Sequence, residues 1–141
     1  MNAIADSLHA VPLFADLSRR DLARLADSMQ VLSFPAGREV VAEGKGGAGF
    51  FVILEGSARV TQHGEDRGLL TAGDYFGEMA LIDGNDRVAS VRAEDELRCG
   101  VMSPWTFRPF VKEHPDVAWA LLTALVKRMR ETHAANVGAA G

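Results

Sequence analysis

The sequence predicts a mainly β domain, an antiparallel β-roll or jelly roll with helices flanking it. Three observations carry this prediction. Between Gln30 and Met102 short apolar runs alternate with glycine-containing turns, the texture of small antiparallel sheets. Before Gln30 and after Ser103, apolar residues instead recur every three or four positions, which is the helical period. At 141 residues, with 48% hydrophobic and 24% charged side chains, the chain suits one compact domain with its own core.

The N-terminal helix is expected from about Ser18 to Ser28. Ser18 stands three residues before Asp21, so its hydroxyl can cap the first turn, and Leu22, Leu25, Ala26 and Met29 then share one face. Strands are expected at Val40–Val41, Phe50–Leu54, Ala58–Thr61, Arg87–Ala93 and Leu97–Met102, separated by turns such as Glu55-Gly56, His63-Gly64 and Ala72-Gly73-Asp74. A short helix, Glu78-Met79-Ala80-Leu81-Ile82, begins directly after Gly77. Ser103–Glu113 reads as a helix, with Pro104 tolerated in the first turn and Phe107, Phe110 and Val111 at core spacing. His114-Pro115-Asp116 ends it and opens a last helix that reaches about His133. Residues 1–133 are the expected domain and 134–141 a flexible tail. Trp105 is expected to anchor its helix to the barrel, and Trp119 to pack in the core or at a dimer contact.

Bulk properties exclude several functions. A net charge of −4 and a pI near 5.5 provide no field that would draw the chain alone to nucleic acid or an anionic membrane. No stretch approaches the roughly 20 apolar residues of a membrane span, and the first residues lack a secretory pattern, so a cytoplasmic location is expected. Cys99, the single cysteine, cannot form an internal disulfide and reads as a buried inert thiol in the alternating stretch Leu97 to Val101. His9, His63, His114 and His133 lack metal-ligand spacing. No metal or other cofactor is expected, and a metal-dependent jelly-roll enzyme is disfavoured.

Chemistry concentrates in Phe76 to Val91, FGEMALIDGNDRVASV. The helix start after Gly77 offers backbone N–H groups to a phosphate. Arg87 adds a permanent charge able to form charge-assisted, bidentate hydrogen bonds, and Glu78 can accept a bond from a hydroxyl. Blander readings compete. Arg87 could be a surface arginine paired with Asp83 or Asp86, worth about 0–1 kcal/mol, and Glu78 a helix-start acid. Asp83 and Asp86 fit turn chemistry around Gly84-Asn85.

This run resembles the phosphate-binding cassette of the cyclic nucleotide-binding domain family, F-G-E-x-A-L followed by R-x-A. Phe76, Gly77, Glu78, Ala80, Leu81, Arg87 and Ala89 carry the match. The likeness to catabolite-activator-like and protein kinase A regulatory-subunit-like members extends in element order over roughly Pro12 to His133. It implies that Glu78 holds the ribose 2′-hydroxyl and Arg87 the cyclic phosphate, with Phe76, Gly77, Met79, Ala80, Val88 and Ala89 completing the pocket. Val88 stands where some members place a serine or threonine that bonds the phosphate or the guanine amino group. Valine does neither, so the expected ligand is cyclic AMP, with cyclic GMP the alternative. Lid contacts that other members place 41 and 45 positions beyond the cassette arginine would fall here on Arg128 and Thr132.

The implied function is that of a receptor domain, not an enzyme, whose last helix moves over the bound nucleotide. Its expected partners are the cyclic nucleotide, a protein effector of unknown identity and, through the C-terminal helix, a second copy of itself. No output domain is legible in the sequence, so it is either a stand-alone receptor or a domain of something larger. The rival reading is an interaction scaffold with this fold whose pocket no longer binds nucleotide.

Overall fold

The computed structural model describes residues 3–46 and 49–140, with side chains as far as residue 131. Helix α1 (Ala3–His9) and one 3-10 turn (Pro12–Phe14) precede α2 (Arg19–Ser28). Ser18 Oγ accepts the Asp21 N–H at 3.1 Å, so the expected cap forms and α2 starts where the spacing put it. The strands follow as β1 (Gln30–Phe34), β2 (Glu39–Val41), β3 (Phe50–Glu55), β4 (Ser57–Gln62), β5 (Glu65–Thr71), β6 (Tyr75–Phe76), β7 (Ser90–Ala93) and β8 (Leu97–Met102). Helix α3 (Glu78–Asp83) lies between β6 and β7, and α4 (Pro104–Glu113) and α5 (Pro115–Ala140) follow β8.

Two four-stranded sheets, ordered β1-β8-β3-β6 and β2-β7-β4-β5, pair antiparallel throughout. The mainly β, helix-flanked roll expected from the sequence is thus the observed architecture. Strand β3 reads as a continuous apolar run because both its faces are covered. Phe50 and Val52 belong to the cluster of Leu8, Phe14, Leu25, Phe107 and Leu121 from the helices. Phe51 and Ile53 instead pack with Ala58, Phe76, Val91 and Cys99 between the sheets. Cys99 is fully buried, and burial pushes its thiol up to about 12, so it carries no thiolate at neutral pH.

Three expectations change. The strand expected from Arg87 begins only at Ser90, because the Arg87 backbone bonds to a loop instead of a ladder. Its N–H donates to the Lys45 carbonyl at 2.9 Å, and its own carbonyl accepts from the Gly44 N–H at 2.8 Å. Trp105 does not anchor α4, being 78% exposed; buried Phe107 does so, its ring 4.9 Å from that of Phe50. Helix α5 runs to Ala140, past the expected end near His133, and the tail expected over 134–141 falls where side chains lie outside the described residues. Among the described residues no helix is long and apolar enough to cross a membrane.

Candidate functional site

The site forms at the corner where β6 turns into α3. Gly77 caps α3 in the left-handed region at φ 96°. A Cβ there would come within 2.5 Å of the Gly49 carbonyl oxygen and 2.8 Å of Arg87 Nη1. Glycine therefore meets two needs at once, the backbone conformation and the close approach of an arginine from the loop before β7.

Arg87 is 5% exposed. Nη1 donates to the Gly77 carbonyl at 2.9 Å and Nη2 to the Gly49 carbonyl at 3.1 Å, while Nε is buried without a hydrogen-bond partner. Among the described residues no carboxylate makes an ion pair with it, so pairing with Asp83 or Asp86 is not what holds Arg87. Asp83 instead caps its own turn, Oδ1 accepting the Asn85 N–H at 2.9 Å. Burial lowers the guanidinium pKa from its ordinary value, and the Glu78 carboxylate pulls it back. A buried cation with one unmet donor is costly, about 1–3 kcal/mol for the donor alone, and an anion at Nε would remove that cost.

Glu78 is buried at 2% exposure. Its Oε1 accepts from Arg128 Nη1 at 3.2 Å, with the Arg128 side chain, 54% exposed, reaching over from α5. The same Nη1 lies 3.8 Å from Met79 Sδ. Tyr75 borders the pair; its hydroxyl pKa is raised, first by burial and then by the Glu78 carboxylate. The corner thus holds a buried arginine and a buried glutamate, chemically suited to one anionic group and one hydroxyl donor.

Gly77, Glu78, Met79, Arg87 and Arg128 are brought together here. Phe76 lies inside the roll, its ring stacked on Phe51 with centroids 4.8 Å apart and planes 2° from parallel, and Ala80 is buried. Val88, beside Arg87, is 47% exposed and Ala89 half-buried. Thr132 is on α5, but its side chain lies outside the described residues. Sequence reasoning missed Gly49, Tyr75 and the Gly44–Lys45 frame. The glycine-dense stretch 44–49 was the one available hint, since dense glycine marks close backbone approach. Among the described residues no group of three metal-ligating side chains converges.

Two antiparallel sheets carrying a buried arginine and glutamate at such a corner, with a C-terminal helix reaching over them, define one class of β-roll domain. The chain belongs to the cyclic nucleotide-binding domain family, whose sequence pattern matches residues 31–114. It is 42% identical over 100 residues to the cAMP-dependent protein kinase regulatory subunit of Mycosarcoma maydis, covering 66% of this chain and 19% of that one. With the CRP-like cAMP-activated global transcriptional regulator of Mycobacterium tuberculosis it shares 29% identity over 126 residues, 86% of this chain and 56% of the other. The crystal structure of Thermus thermophilus catabolite activator protein matches with a TM-score of 0.79 at 27% identity, over 86% of this chain and 60% of that one. The chain spans 19% to 27% of the length of the kinase regulatory subunits from three fungi.

Proposed function

We propose that this domain is a cyclic nucleotide receptor that prefers cyclic AMP to cyclic GMP and carries no catalysis of its own. The single observation that carries the reading is the unpartnered, buried Nε of Arg87 in a pocket whose other buried charged group is Glu78. The cyclic phosphate accepts from Arg87, and the ribose hydroxyl donates to Glu78. The relatives, a cAMP-dependent kinase regulatory subunit and a cAMP-activated transcriptional regulator, support the same ligand class. Val88, without a hydroxyl, offers nothing to a guanine amino group, which supports the adenine preference. Calorimetric titration tests this: cyclic AMP is expected to bind at least about tenfold more tightly than cyclic GMP, a difference of about 1.4 kcal/mol. Tighter binding of cyclic GMP would overturn the preference, and intact folding with no binding of either nucleotide at millimolar concentration would favour the scaffold reading.

Arg128 connects the pocket to α5. A ribose hydroxyl that donates to Glu78 meets Arg128 at the same carboxylate, so nucleotide binding and the position of α5 are linked. The ligand shifts the population toward an arrangement with α5 closed over the roll. Moving a population from 1:99 to 99:1 requires about 5.5 kcal/mol of preference for the closed state, more than one partly exposed ion pair supplies. Arg128→Ala is therefore expected to raise the Kd for cyclic AMP only about fivefold, while reducing the change that ligand produces in the NMR signals of residues 115–131. Signals on α5 that respond as in the unaltered protein would contradict the linkage.

Helix α5 also presents Trp119, Leu122, Val126 and Met129, which are 72%, 53%, 47% and 70% exposed. Their three-four-three spacing forms one narrow apolar seam suited to a second copy of the helix. Sedimentation is expected to show a dimer that Trp119→Glu converts to monomer; an unaltered protein that stays monomeric at about 100 μM would refute it. A cytosolic protein effector, reached through α5, completes the proposal.

A further inference from the structure

We propose that Glu43 is a positioning residue for Arg87, tying the tip of the β4–β5 hairpin to the anion-binding arginine; the inference rests on the receptor reading above. The hairpin turns on two residues, His63 and Gly64, between the paired Gln62 and Glu65. His63 is the one non-glycine residue at positive φ among those described, at 53°. Glu43 Oε1 accepts the backbone N–H of His63 at 2.9 Å, and Oε2 lies 3.2 Å from His63 Nδ1. The Glu43 N–H in turn donates to Ser90 Oγ, at the start of β7, at 2.9 Å.

The two residues after Glu43 hold the backbone of Arg87 from both sides. Gly44 donates to its carbonyl at 2.8 Å and Lys45 accepts its N–H at 2.9 Å. The guanidinium bonds to Gly77 and Gly49 fix its far end. Arg87 is thus clamped at both backbone and tip, and the backbone clamp is anchored by a carboxylate whose hydrogen-bond and ion-pair partner among the described residues is His63. Side-chain exposures of 29% for Glu43 and 76% for His63 place this anchor at the protein surface, where removing it opens no core cavity. A buried arginine with two carbonyl partners and one unmet donor has a narrow range of useful positions, so slack in residues 42–45 shows as lost affinity.

Amide hydrogen exchange and cyclic AMP titration of the full chain, in Glu43→Ala and Glu43→Gln, test this together. In the alanine variant, exchange at the Gly44 and Arg87 amides is expected to accelerate at least about tenfold and the Kd to rise about tenfold, the effect of one charge-assisted hydrogen bond. Glutamine keeps an acceptor for the His63 N–H and is expected to restore both to within about threefold. Unchanged exchange at Arg87 in Glu43→Ala, failure of glutamine to restore it, or an equal loss of protection across both sheets would overturn the positioning role. If the unaltered protein does not bind cyclic AMP, the receptor reading fails by itself, and the exchange measurements still decide the role of Glu43.

Discussion

Replacing Arg87 by alanine is expected to weaken cyclic AMP binding at least about a hundredfold, a loss near 2.8 kcal/mol. Hydrogen bonds from a charged donor are worth about 1.5–3 kcal/mol each, and Arg87 is the buried cation of the pocket, with Nε free to donate. The substitution also strips the Gly77 and Gly49 carbonyls of their donors, so some thermal stability is lost as well. Arg87→Lys separates the two effects. It keeps a positive charge but, as a point donor without the planar fork, cannot serve two carbonyls and an anion together, and a loss of at least about tenfold is expected in a folded protein. Calorimetry on both variants, with circular dichroism to verify folding, checks this; a Kd within about threefold of the unaltered protein in Arg87→Ala would refute the assignment.

Gly77→Ala is expected to be the most damaging single-methyl change at the site. The left-handed φ of 96° costs a residue with a Cβ about 1–2 kcal/mol, and the methyl would stand 2.5 Å from the Gly49 oxygen and 2.8 Å from Arg87 Nη1. A backbone oxygen cannot yield as a flexible side chain can, so either the β6–α3 corner shifts or Arg87 is expelled. Destabilisation of about 2–4 kcal/mol, with cyclic AMP affinity lost, is the expected outcome. Gly84→Ala is the control. Gly84 also has positive φ, 74°, but a Cβ there meets nothing within 4 Å, so it carries only the conformational cost. Thermal unfolding of the two variants should rank Gly77→Ala well below Gly84→Ala; equal melting temperatures would mean that the close approach at Gly77 has no energetic weight.

What the sequence revealed, and what it hid, follows from where each signal resides. Ser18 with Asp21, the two-sided apolar run of β3 and the buried Cys99 were legible because local spacing and side-chain type carry them. Strand β5 was not, since Glu65, Asp66 and Arg67 open it and, as an edge strand with mostly exposed side chains, it has little core face to betray it. Strand β6 is two residues long, too short for a period. The Arg87–Ala93 run alternates like a strand, yet its first residues are drawn off by the Gly44 and Lys45 backbone, a tertiary contact without a local signature. Trp105 misled because a large aromatic is usually buried, whereas Phe107 two residues on fills that place.

The candidate site divides in the same way. Gly77, Glu78 and Arg87 were legible from a short motif whose members serve different physical needs. Gly49 was not, because it contributes a carbonyl that every residue possesses. The pairing of Glu78 with Arg128, 50 residues apart in sequence, was expected only as a lid position, and its carboxylate partner emerged from the fold.

In the proposed receptor, the buried, unpartnered Nε of Arg87 takes the phosphate of the cyclic nucleotide. Nitrogen-15 NMR of the arginine Nε–H signals during a cyclic AMP titration tests it most directly, with Arg87 assigned by its loss in Arg87→Lys. A saturable shift of that one signal, at the same midpoint as calorimetric binding, is the result expected. An Arg87 Nε–H signal that stays in place while cyclic AMP saturates the protein, or no binding at all, would rule out Arg87 as the phosphate ligand.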